Sequence, residues 1–197
     1  MKTTDHLLLG QFLVEQGSFP SLRQHRRAFL LGCVEPDYNL FSYLRGMHHH
    51  EKLRGHNAEN SFEFLSHCCA DFRKNGVYSQ WDYFRLGTMI HYAADAFTAP
   101  HNSFWTGSLS EHCAYEAELH QKFGELLKNA HPDVISYREY VPLHKAYCVD
   151  TPGMETDFRY ILTACLSLLK QYLPGTAKSE GGIYEGLDYD RLVSAGH

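Results

Sequence analysis

Residues 91 to 120 run HYAADAFTAPHNSFWTGSLSEHCAYEAELH, and their histidines and carboxylates stand at a spacing by which helices share a cation. His91 and Asp95 are four residues apart, so on a helix both side chains leave one face, one turn apart. Pro100 breaks that helix and delivers His101 at its end. After a loop, His112 and Glu116 repeat the i,i+4 arrangement on the next helix, with His120 a further turn along the same stripe. Paired His and carboxylate groups turned inward from two helices are how helical bundles build polynuclear metal sites. Nitrogen and oxygen donors without thiolate suit Zn²⁺, with Mn²⁺ or Fe also compatible. Helical His and Glu are ordinarily solvated surface residues. The apolar text MIHYAADAF argues against that for His91 and Asp95, because an ionised Asp buried there without a partner would be costly and a metal satisfies it.

The elements that must position these groups read as helices throughout. Period-3.6 apolar spacing recurs while strand signals are weak, so the sequence predicts an all-α fold, a single multi-helical domain over residues 1–197 with a metal cluster between helices. Helices are predicted near 5–16, 20–32, 56–75, 79–99, 109–129 and 154–173, with Pro20 opening the second and Pro36 following and ending it. Ser110 with Glu111 and Cys113 gives the fifth a polar, acidic start without a strict capping box. Residues 130–153, with three prolines and several β-branched residues, predict an irregular excursion, and the stretch from Pro174 a surface tail.

Composition narrows the function classes. The 197 residues carry a net charge of −5, without the basic excess that stable nucleic-acid binding calls for. No run of apolar residues is long enough for a transmembrane helix, and the N-terminus, lacking a cleavage signature, reads as mature protein. Six cysteines without CxxC spacing, in otherwise helical segments, point to reduced thiols and a cytoplasmic location. Histidine is the outlier at fourteen, and neutral imidazole is the commonest metal ligand. Oligomeric state leaves no signature in the sequence.

The string H-Y-x-x-D-x-x-x-x-P-H followed by H-x-x-x-E resembles the bacterial zinc-dependent phospholipase C family, whose relatives include the fungal single-strand-specific nucleases. FLLGCVEPDYN resembles the family segment in which an Asp after a Pro binds metal, which falls on Asp37. KLRGHNAENS resembles the segment supplying a further histidine, His56, and DHLLLGQFLVE the opening helix, whose ligand falls on His6. The resemblance spans residues 5 to about 127 and implies two or three zinc ions: one held by Asp37, His56, His91 and Asp95, a second by His101, His112 and Glu116, a third by His6 with Asp95 as a bridge. Secreted members complete the third position with an N-terminal Trp; this chain has Met1, so Asp5, the chain's own amino terminus or waters stand in. His48, His49 and His50 compete with His56, which is preferred because RGHNAEN opens a helical pattern and holds the ring rigidly.

The resemblance further implies a hydrolase of phosphoesters, phospholipid-like substrates first, in which metal-activated water attacks phosphorus and Asp37 orients or deprotonates that water. A related nuclease or phosphomonoesterase is the enzymatic alternative, and a non-catalytic helical module stabilised by metal the alternative from another class. Tyr38, Phe41, Tyr43, Tyr92, Phe97, Phe104 and Trp105 crowd the same regions and would suit a headgroup, a quaternary amine or a stacked base. Tyr92 and Phe97 read as core. Tyr38 and Trp105 are the substrate-binding candidates, Trp105 because it lies in the loop between His101 and His112.

Overall fold

A near-continuous buried helix, α5 (Gln80–Ala96), carries His91 and Asp95, and the other helices are arranged around it. Its text LGTMIHYAADA is apolar or small on every side, and a helix of that kind must be covered all round. In the computed structural model, which describes residues 1–16, 18–39, 58–131 and 139–173, α5 packs against α1 (Thr3–Glu15), α3 (Arg26–Tyr38), α4 (Ala58–Asn75) and α8 (Met154–Tyr172). A short α2 (Pro20–Gln24), α6 (Leu109–Lys128) and α7 (Tyr140–Val149) complete the helices, and a 3-10 turn, Ala99–His101, follows α5. The fold is all-α, with no strand among the described residues. No helix described is long and apolar enough to cross a membrane.

Two glycines set the α3–α5 crossing. A Cβ on Gly32 would lie 2.0 Å from the Phe84 carbonyl oxygen, and one on Gly87 would lie 2.1 Å from the Phe29 carbonyl oxygen. Only residues without a side chain allow the two backbones to meet this closely. That approach brings α3, and Asp37 at its end, alongside the His91 face of α5.

Four local expectations need correction. The helix predicted over 20–32 is two helices: His25 leaves helical geometry and stacks on Tyr83 of α5, ring centroids 4.1 Å apart. Pro36 does not end α3 but lies inside its last turn, where its missing N–H forfeits a single bond, the one to the Gly32 carbonyl. The fifth predicted helix is capped by Ser108 rather than Ser110. Ser108 Oγ accepts from the Glu111 N–H while the Glu111 carboxylate accepts from the Ser108 N–H at 2.7 Å, a complete capping box. Finally, the excursion predicted over 130–153 contains α7, which accommodates Pro142 in its first turn, where N–H groups have no intrahelical acceptor. Residues 132–138, and the tail from Pro174, lie outside the described residues.

Candidate metal centre

Asp95, in the last turn of α5, is 2 % exposed and is the meeting point of the predicted donors. Its Oδ2 lies 3.4 Å from His91 Nε2, and its Oδ1 lies 3.1 Å from His6 Nε2 and 3.6 Å from His101 Nδ1. Oδ1 also accepts a hydrogen bond from the Met1 ammonium at 2.8 Å, and that ammonium is 3.1 Å from Glu116 Oε1. Burial pushes the Asp95 carboxyl up, but the ammonium and the surrounding imidazoles prevail and hold it well below the ordinary carboxylate range.

The imidazoles on this side are oriented from behind. His91 Nδ1 is 2.9 Å from the Cys33 carbonyl oxygen, which can only accept, so Nδ1 bears the proton. The lone pair of a neutral His91 therefore sits on Nε2, facing Asp95 Oδ2 and, at 3.7 Å, Asp37 Oδ1. A lone pair directed at two carboxylates is repulsive unless a proton or a metal cation lies between them. His6 stacks on His91 with centroids 3.8 Å apart, and both of its ring nitrogens are buried without an aligned hydrogen-bond partner. Donor atoms of His6, His91 and Asp95 all lie within 4.8 Å of one another.

A second triplet, His101, His112 and Glu116, meets the same criterion. The 3-10 turn presents His101, and α6 presents the other two, with His112 Nε2 3.2 Å from Glu116 Oε1. Thr98 Oγ1 donates its proton to the Asp95 carbonyl at 2.7 Å and must accept from His101 Nδ1, also at 2.7 Å. This fixes the His101 tautomer with its lone pair on Nε2. Burial pushes Glu116 up, but hydrogen bonding to His112 and the nearby ammonium bring it down to about 2.

Of the remaining candidates, Asp37 is half-buried beside His91, and its Oδ2 is buried without a hydrogen-bond partner. Tyr38, at the end of α3, is 76 % exposed. Trp105 is half-buried and packs edge-on against Tyr115, centroids 5.9 Å apart. Tyr92 and Phe97 are core residues, and Phe104 is exposed. His56, the competing His48, His49 and His50, and the aromatics Phe41 and Tyr43 lie outside the described residues. Asp5 is fully buried and engages His120 Nδ1 at 2.6 Å. Sequence reasoning missed two supports: Thr98, and the buried Asp157 of α8, which binds the Ala99 N–H at 2.9 Å. Asp157 had a signal, since an acid at the apolar stripe of TDFRYILTACL must be satisfied by something.

The donor set fits zinc. A tetrahedral ion with Zn–N near 2.0–2.1 Å places its donors about 3.3–3.5 Å apart, so a spread of up to 4.8 Å closes with small side-chain movements. The Met1 ammonium between Asp95 and Glu116 occupies a position where the two carboxylates attract positive charge. The same burial gives the chelator-treated protein an acid limit. Burial brings His6 down to about 4 and His101 down to about 3, from an unfolded value near 6.5. The unfolded chain then takes up protons at these two sites that the folded one refuses, so their contribution to stability is full above about pH 6.5 and is lost toward pH 4 for His6 and pH 3 for His101, while His91, raised by Asp95 despite its burial, acts in the opposite sense. Thermal melts of the chelated protein should drop through that interval, and zinc should move the fall to lower pH.

An all-α domain whose helices bring together two His and carboxylate triplets, one of them on the buried Asp95, belongs, by class, with the helical proteins built around metal clusters. The zinc dependent phospholipase C family profile matches residues 5–174, and the chain belongs to that family. The family is zinc-dependent and its activity is that of a hydrolase. Neither curated proteins nor solved structures gave a match.

Proposed function

We propose that this chain is a single-domain phosphoester hydrolase of phospholipase C type, holding two or three zinc ions on His6, Asp37, His56, His91, Asp95, His101, His112 and Glu116. The observation that carries the reading is Asp95, a buried carboxylate set between His6 on Oδ1 and His91 on Oδ2. Bound zinc would supply Lewis acidity toward phosphate oxygens and lower the pKa of a water. The chain's residues supply the rest. His91 and His101, with tautomers set by the Cys33 carbonyl and Thr98, keep their Nε2 lone pairs ready for cations. Asp37, whose Oδ2 has no hydrogen-bond partner, orients the attacking water and accepts its proton. Tyr38 and Trp105 would contact the substrate.

Among the described residues the second triplet has three protein donors, and a catalytic zinc keeps a position open beyond three, whereas structural zinc is closed by four. This supports hydrolysis over a metal-stabilised scaffold. The test is hydrolysis of nitrophenyl phosphodiesters and monoesters, and of phospholipid vesicles, before and after chelation. Hydrolysis should vanish with a strong chelator and return with zinc. Activity that survives chelation contradicts the mechanism; zinc bound without hydrolysis of any substrate identifies a non-catalytic module.

A further inference from the structure

We propose that Asp157 is a positioning residue that sets the register of the His101, His112 and Glu116 triplet from behind. Asp157 stands in the first turn of α8, and it is 1 % exposed. Its carboxylate collects donors from three elements. Oδ2 accepts the Ala99 N–H of the 3-10 turn at 2.9 Å and the Tyr115 hydroxyl of α6, and Oδ1 accepts the Tyr147 hydroxyl of α7 at 2.9 Å. Ala99 lies two residues before His101, and Tyr115 directly precedes Glu116 and is one turn beyond His112. One carboxylate thus ties together the two stretches of chain that between them carry the whole second triplet.

A buried acid satisfied by hydroxyl and backbone donors would also be explained by fold stability alone. The two tyrosines separate the explanations. Each gives Asp157 one O–H donor, but Tyr115 is on the helix of His112 and Glu116, whereas α7 carries none of the candidate donors. Losing the Tyr115 tie frees α6 to shift against the turn of His101. Losing the Tyr147 tie leaves those two elements joined through Oδ2. Groups that orient metal ligands change metal affinity by about 10–100-fold when removed.

This proposal rests on the metal reading of the triplet, so the test starts with wild type and His101→Ala. Competition titration against a chromophoric chelator, read by zinc affinity and by the visible band of the cobalt-substituted protein, should find an ion that His101→Ala loses. For that ion Tyr115→Phe is expected to weaken affinity roughly tenfold and alter the cobalt band. Tyr147→Phe should lower the melting temperature comparably while leaving affinity and band as in wild type. Equal affinities in the two Phe variants, or a Tyr115→Phe protein that binds like wild type, would overturn the positioning role while the metal reading stands. A wild-type protein that takes up no zinc or cobalt overturns both. Asp157→Asn, which keeps volume and one acceptor oxygen, should fall between wild type and Tyr115→Phe.

Discussion

Replacing Asp95 with alanine is expected to release more zinc than replacing His101, and to cut phosphoester hydrolysis by at least about 10²–10³-fold, the order reached when one charge-stabilising group is removed. Asp95 Oδ1 faces His6 and Oδ2 faces His91, so in the proposed centre its loss disturbs two ions at once, whereas His101 serves one. Alanine also leaves the buried Met1 ammonium with Glu116 alone. Removing one partner of a buried ion pair costs about 3–5 kcal/mol. Asp95→Asn keeps the volume and one metal-binding oxygen without the charge, so it should release zinc less completely while still losing activity. Elemental analysis of dialysed protein checks the order of losses. Equal release from Asp95→Ala and His101→Ala would remove the bridging role.

Gly87→Ala, distant in sequence from every predicted donor except those on α5 itself, is expected to be among the most damaging single-methyl changes in the protein. The added carbon would lie 2.1 Å from the Phe29 carbonyl oxygen and 2.9 Å from the Cys33 N, both backbone atoms that no rotamer change can move. Overpacking ordinarily costs about 1–3 kcal/mol, and contact with two backbone atoms places this change at the upper end. For a chain of this size that is a fall of roughly 6–12 °C in melting temperature. The helices must part, and with them the bond from His91 Nδ1 to the Cys33 carbonyl and the approach of Asp37 to His91. Zinc affinity should therefore fall together with stability. Gly124→Ala in α6, where the new methyl meets nothing within 4 Å, is the matched control and should be neutral or stabilising. Gly87→Ala melting alongside Gly124→Ala would show that the crossing tolerates separation.

Legibility divided along a physical line. The i,i+4 pairs, His91 with Asp95 and His112 with Glu116, were readable because helical periodicity alone decides which side chains share a face. Their apolar setting also marked Asp95 as a carboxylate in need of a partner. Proline was the poorer guide. Pro36 and Pro142 both sit inside helices, one in a last turn and one in a first, where the missing N–H costs little. The Ser108 capping box was overlooked by a register error of two residues, although S-x-x-E stands in the text. Tertiary convergence was not legible from local pattern: nothing near Asp157 says that its partners come from Ala99, Tyr115 and Tyr147. Likewise Gly32 and Gly87 read as ordinary helix weakeners until α3 and α5 are seen to cross there.

The zinc K-edge absorption spectrum of the untagged, zinc-loaded protein tests the centre most directly, because it reports what surrounds the metal independently of any substrate. Nitrogen and oxygen neighbours near 2.0–2.1 Å, with no sulfur shell near 2.3 Å, is the result this site requires. A sulfur shell would assign zinc to some of the six cysteines instead, and a protein that retains no zinc would leave the His and carboxylate clusters without their proposed role.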